Sequence, residues 1–205
     1  EQAKKTYYAN YGDVPFGDIT KESTKNKIPK DFDILCAGFP CQAFSLAGKR
    51  LGFEETRGTL FFDVAEILRR YQPKAFFLEN VKGLVIHDKG RTFKTILNTL
   101  EEVGYVVPDP QIVNAMFFGV PQHRERIYIV GCRKDLGIKK DDFSYPEQKE
   151  VTKKWIDVRE ENPVPAKYYL STTYIETLKR HKARHEAKGN GFGYDIIPDD
   201  GIAHA

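Results

Sequence analysis

The chain has 205 residues, 40% of them hydrophobic, 13% aromatic and 30% charged, with 32 Lys and Arg against 29 Asp and Glu. That length supports one domain, or one and part of another; the aromatic content argues against disorder, and no apolar run approaches the roughly 18 residues of a membrane helix. A net charge of +3 is too small to name a nucleic-acid partner by itself, and three cysteines without a signal peptide exclude a closed disulfide framework and point to a reducing cytoplasm.

The chain opens at Glu1-Gln2-Ala3-Lys4 without an initiator Met and stops at Gly201-Ile202-Ala203-His204-Ala205, and so reads as a piece of a longer protein. Phe32 to Ala37 is an apolar run ended by Gly38, which suits a buried strand. Leu60, Phe61, Val64, Ile67, Leu68 and Tyr71 recur at helical spacing and are stopped by Pro73. Ala75-Phe76-Phe77-Leu78 is a second buried strand. Phe93, Ile96, Leu97, Leu100 and Val103 then predict a second amphipathic helix closed by Gly104. Strands over 111–113 and 126–130 follow, joined through Gly119-Val120-Pro121. Such alternation predicts a doubly wound α/β domain with a parallel sheet and helices on its faces.

From about residue 147 the texture changes: charge density rises, and Pro163 and Pro165 interrupt the chain. One helix is expected, with Thr173 and Glu176 in capping-box spacing and Gly189 past its end. Its Lys179, Arg180, Lys182, Arg184 and Lys188 read, taken alone, as a solvated face.

Ligands of open α/β sheets bind beyond the carboxyl ends of the strands, and three polar clusters fall there. The first is Gly38-Phe39-Pro40-Cys41-Gln42. A lone Cys is more often a small core residue, but this one follows Pro and precedes a basic, Gly-rich loop over 45–58, a setting that favours thiolate. The second is Glu79-Asn80-Val81, where an ordinary strand-end Glu competes with a proton donor at the mouth of an apolar sheet. The third is Gln122-His123-Arg124-Glu125-Arg126; an ordinary charged turn is the bland reading, whereas a strand would project Gln122, Arg124 and Arg126 to one side.

Each cluster is weak alone, but their order is specific. Pro40-Cys41-Gln42, Glu79-Asn80-Val81 and Gln122-His123-Arg124-Glu125-Arg126, with Gly17-Asp18-Ile19-Thr20 upstream and Arg57-Gly58-Thr59-Leu60-Phe61-Phe62 between, resemble the diagnostic motifs of the DNA (cytosine-5) methyltransferases. The resemblance covers residues 2 to 145 and is nearest to the compact bacterial enzymes of restriction–modification systems. It implies a Rossmann-like S-adenosylmethionine-dependent methyltransferase fold, with a partial catalytic core over 1–149 and the start of a target-recognition region over 150–205.

The resemblance also implies roles. Cys41 is the nucleophile that adds to carbon 6 of a cytosine flipped out of double-stranded DNA, which makes carbon 5 enamine-like. Glu79 protonates ring nitrogen 3, Arg126 holds the base carbonyl, Arg124 supports the site or the nearby loop, and Asn80 fixes the Pro40-Cys41 backbone. Asp18 is expected on the adenine amino group of S-adenosylmethionine, with Ile19, Pro40 and Leu60 lining that pocket. Gln42, Ser45, Lys49 and Arg57 are the expected DNA contacts on the loop.

The family's Phe-x-Gly-x-Gly cofactor turn and its ribose carboxylate do not occur here, and most of the recognition region is missing, so the missing remainder of the chain or a complementing subunit is an expected partner. A non-catalytic DNA-binding module or one half of a split methyltransferase is the main alternative. A Cys41–His123 hydrolase leaves Glu79-Asn80 without a role. A zinc site from Cys36, Cys41, Cys132 and His123 lacks a CxxC pair, so no metal is expected.

Overall fold

The structure is a computed structural model, and it describes residues 2–40, 60–191 and 193–204. Two compact units form: residues 1–113 with 125–146, and residues 114–124 with 147–205.

The first unit opens with helix α1 (Gln2–Tyr11), which buries none of its side chains, and the four-residue helix α2 (Glu22–Lys25). Strand β1 (Ile34–Gly38) leads toward helix α3 (Leu60–Tyr71), then β2 (Ala75–Val81), helix α4 (Arg91–Glu102), β3 (Tyr105–Val106) and β4 (Gln111–Asn114). The last strand of this sheet, β6 (Glu125–Arg133), follows the short β5 (Gln122–His123) of the second unit. The order is β1-β2-β6-β3, with β4 also on β6.

β1 and β2 are parallel, in a register that sets Gly38 opposite Glu79. β6 runs antiparallel to both β2 and β3, so β1, β2 and β3 share one direction and β6 alone among these four is reversed. The sheet is therefore mixed: the parallel-rich α/β sheet that strand–helix alternation predicts is present, with β6 as its reversed strand. The stretch between β4 and β6 holds only a single 3₁₀ turn and β5, too little for the dozen-residue helical crossover that a parallel strand needs.

The amphipathic spacing of α3 and α4 explains the core. Phe61, Val64, Ala65 and Leu68 of α3 meet Ile96 and Leu100 of α4 over Phe76 and Leu78 of β2 and Ile127 and Ile129 of β6. All of these are buried. Gly131 lies opposite Phe76, and a Cβ there would come within 2.3 Å of its ring, so only glycine fits beside that aromatic side chain. Tyr105 is buried against Phe76, and its hydroxyl donates to the carbonyl of Pro73 at 2.8 Å.

In the second unit, β5 pairs in parallel with β7 (Ala203–His204). Helix α5 (Thr172–Glu186) buries no side chain, in keeping with a solvated basic face. Its N-cap is Ser171, whose hydroxyl accepts from the amide of Tyr174, rather than the expected Thr173; Thr173 already lies inside the first turn. Glu176 pairs with Lys179 at 3.1 Å instead of reaching back to a cap.

Candidate active site

The parallel pairing of β1 and β2 brings the first two polar clusters side by side. Glu79 and Asn80 still belong to β2, which runs three residues beyond its apolar stretch, so alternation sends them to opposite faces of the sheet. Asn80 is on the buried face, where its Nδ2 donates to the carbonyl of Phe39 at 2.7 Å. That carbonyl belongs to the peptide leading into Pro40, and Phe39 is itself packed against Phe61 with ring centroids 5.4 Å apart. The turn after β1 is thus held from two sides, by one amide and one aromatic contact.

Glu79 takes the other face, where its Oε1 is 3.0 Å from Nε of Arg126. Register aligns Val81 with Arg126, which brings the guanidinium back along β2 toward Glu79. Nη1 of Arg126 also donates to the carbonyl of Glu125 at 2.8 Å, and Lys82 pairs with the Glu125 carboxylate. A second ion pair therefore lies beside the first, at the junction of β2 and β6. Gly38 faces this carboxylate closely: a Cβ there would lie 3.3 Å from Oε2 of Glu79.

An apolar cavity of about 500 Å³ opens beside β1. Ile19, Pro40 and Leu60, which are 41 positions apart at the extremes, all line it, with Ile28, Val64 and Ile67. That volume and apolar lining are those of a small-molecule site. Next to Ile19, Oδ1 of Asp18 accepts from both the amide of Thr20 at 3.0 Å and its hydroxyl at 2.8 Å. Those two bonds, the backbone one first, hold the Asp18 carboxyl below the usual carboxylate range. Among the described residues nothing hydrogen-bonds Oδ2, which leaves one ionised oxygen to accept from a ligand.

The third cluster is divided. Gln122 and His123 form β5 and pair with Ala203 and His204, while Arg126 lies in the sheet of the first unit. The strand breaks at Arg124, whose amide donates to Oδ1 of Asn114 at 3.0 Å and whose carbonyl accepts from Ala115 at 3.1 Å. Alternation through a single strand therefore does not align Gln122, Arg124 and Arg126, contrary to the expectation from sequence. Cys41, Gln42, Ser45, Lys49 and Arg57 lie outside the described residues. Among the described residues, no three or more His, Cys, Asp or Glu side chains are grouped to hold a metal ion, and no helix is long and apolar enough to cross a membrane.

Sequence reasoning passed over Lys25. It is buried, yet sits in a polar stretch whose pattern signals nothing, and it pairs with both Asp63 and Glu66 of α3.

The fold is of the methyltransferase class. It resembles Dnmt2 of Spodoptera frugiperda with a TM-score of 0.66 at 21% identity, covering 98% of this chain and 58% of that one. Dnmt2 of S. pombe matches with a TM-score of 0.60 at 17% identity, with the same coverage of both chains.

Sequence narrows the class. The family described as C-5 cytosine-specific DNA methylase matches residues 1–202, and the chain belongs to that family. It is 71% identical to the type II methyltransferase M.HpaII of Haemophilus parainfluenzae, over all of this chain and 57% of that protein. It is 51% identical to M1.ScrFI of Lactococcus lactis subsp. cremoris, over 97% of this chain and 50% of that protein. The chain thus spans about half the length of these relatives.

Proposed function

We propose that the protein carrying this chain transfers a methyl group from S-adenosylmethionine to carbon 5 of a cytosine flipped out of double-stranded DNA, as the modification arm of a restriction–modification system. The observation that carries this reading is the convergence at β1. Residues distant in sequence line one apolar cavity there, while Gly38, on the wall of that cavity, faces the Glu79 carboxylate.

The cavity suits the cofactor's adenosine end. Ile19, Pro40 and Leu60 offer apolar walls to a flat ring, and Oδ2 of Asp18 offers an acceptor to its amino group. When bound, S-adenosylmethionine supplies an electrophilic methyl group to carbon 5.

The chain's own residues prepare the base. The Cys41 thiolate adds to carbon 6, forming a carbon–sulfur bond and moving the π electrons of the 5,6 bond toward carbon 5. Glu79 delivers a proton to ring nitrogen 3, which offsets the charge that this addition creates. Arg126 orients the Glu79 carboxyl through the 3.0 Å pairing of its Nε with Oε1, with Oε2 carrying the transferable proton, and offers its remaining N–H groups to the base carbonyl. Asn80, by holding the Phe39 carbonyl, aims the Pro40-Cys41 turn. Loss of the carbon 5 proton to a base then lets the cysteine leave as thiolate, and return of the nitrogen 3 proton to Glu79 yields the neutral aromatic base and resets the carboxyl.

In this reading residues 1–149 form the catalytic core and 150–205 begin the recognition region. Arg124 supports the site or the adjacent loop, and Gln42, Ser45, Lys49 and Arg57 contact DNA. The test is tritiated methyl transfer to unmodified DNA by the full-length protein. Transfer that is abolished in Cys41→Ala is expected; transfer that persists in that variant contradicts the mechanism.

A further inference from the structure

One wall of the cavity is formed by Ile19, Ile28 and Pro29, on the segment between α1 and β1. The facing wall is formed by Leu60, Val64 and Ile67 of α3. A pocket made this way keeps its width only if the segment is fastened to the helix.

No fully buried apolar side chain fastens it, although Phe32 meets Tyr71 of α3 with ring centroids 6.0 Å apart. Across residues 12–33 every side chain is exposed or half-buried except one, and that one is Lys25, at 5% exposure. The Lys25 ammonium lies 2.7 Å from Oδ1 of Asp63 and also pairs with Glu66. Asp63 and Glu66 immediately precede the wall residues Val64 and Ile67 on the same helix. Outer contacts flank this buried bridge: Arg70 reaches Glu22 and Asn26, and the Tyr71 hydroxyl donates to the carbonyl of Lys25 at 2.6 Å. Two acidic groups meet one cation here, so burial of the ammonium is compensated.

We propose that Lys25 is a positioning residue for the cofactor pocket: its ammonium ties the 18–29 wall to α3 and sets the gap into which a flat ring fits. The proposal rests on the reading of this cavity as the S-adenosylmethionine site. It explains why a lysine stands where a wall of such a pocket would ordinarily carry an apolar anchor. An apolar residue at 25 would remove the charge that crosses to Asp63 and Glu66 and leave those two carboxylates repelling one another along α3. The segment then spends less time in the closed position, and apparent affinity falls by the lost fraction.

The experiment uses the full-length protein and measures S-adenosylmethionine binding by calorimetry, with KM for cofactor, KM for DNA and kcat. For Lys25→Met, cofactor affinity falls about tenfold, corresponding to a closed fraction near one tenth of the original. KM for DNA and kcat at saturating cofactor stay within about twofold, and Lys25→Arg restores binding, because a guanidinium can bridge the same two carboxylates. If Lys25→Met does not fold, the Asp63→Asn, Glu66→Gln double variant is read in the same way. Cofactor affinity unchanged in a folded variant overturns the proposal, as does a fall in kcat with KM for cofactor unaltered. Failure of the wild-type protein to bind S-adenosylmethionine overturns instead the reading of the cavity on which the proposal stands.

Discussion

Asn80 Nδ2 donates to the carbonyl oxygen of Phe39 at 2.7 Å, and both residues are buried. This bond crosses from β2 to the turn after β1, so the backbone leading to Pro40 and Cys41 depends on a side chain 41 positions away. Removing the amide leaves a buried carbonyl without its donor, at a cost of about 1–3 kcal/mol. Asn80→Ala is therefore expected to lower the melting temperature and to reduce kcat more than KM for cofactor. A variant with wild-type kcat would show that the turn is held without Asn80.

The Glu79–Arg126 ion pair separates two contributions. Glu79→Gln keeps the shape and removes the transferable proton, so methyl transfer is expected to fall by roughly 10²–10⁴-fold while cofactor binding is retained. Arg126→Lys keeps a charge but loses the planar fork that reaches both Glu79 and the Glu125 carbonyl, and kcat should fall with it. Single-turnover methylation measures both. Activity of Glu79→Gln within a few-fold of wild type would remove the carboxyl from the chemistry.

Asp18 carries a pH prediction whose sign follows from its two bonds from Thr20. Because the folded-state value lies below the ordinary 3.8, the associated stability is present above that value and is lost as pH falls through the lower, folded one. Asp18 is thus ionised throughout the neutral and mildly acidic range. Cofactor binding should show no titration from Asp18 between about pH 5 and 8. Asp18→Asn should weaken that binding about tenfold, since it replaces a charged acceptor by a neutral one. Calorimetry across that pH range checks both.

Tyr105 acts at the opposite end of the scale. Burial pushes its phenol up to about 12 from 10.0. Its contribution to stability is complete below pH 10 and is lost as pH rises through about 12. Tyr105→Phe loses the bond to Pro73, worth about 1 kcal/mol, and should flatten the alkaline arm of the stability curve. Denaturant melts between neutral pH and pH 11 would reveal that change of slope.

Much of this architecture is legible in the sequence because it is periodic. Val64, Ile67 and Leu68 recur at helical spacing and are buried as that spacing requires. The reversal of β6 is less visible, since periodicity carries no direction; only the shortness of the stretch before it excludes a helical crossover. Within the site, Glu79 and Asn80 were readable as one motif, but not their division onto opposite faces, which follows from β2 running on through them. Arg124 departs from simple alternation because Asn114 and Ala115 take its backbone polar groups, a long-range choice. Lys25 left no trace, because a single lysine in a polar stretch has no pattern until the fold places Asp63 and Glu66 beside it.

Covalent addition of Cys41 to cytosine carbon 6, which activates carbon 5 for methylation, is tested most directly by trapping. A 5-fluorocytosine at the target position cannot lose fluorine as a proton is lost, so elimination of the cysteine is blocked. Full-length protein incubated with such DNA and S-adenosylmethionine should yield a denaturation-resistant adduct, with peptide mass spectrometry placing the methylated base on Cys41. An adduct on another residue, or methyl transfer without any adduct, would contradict the account.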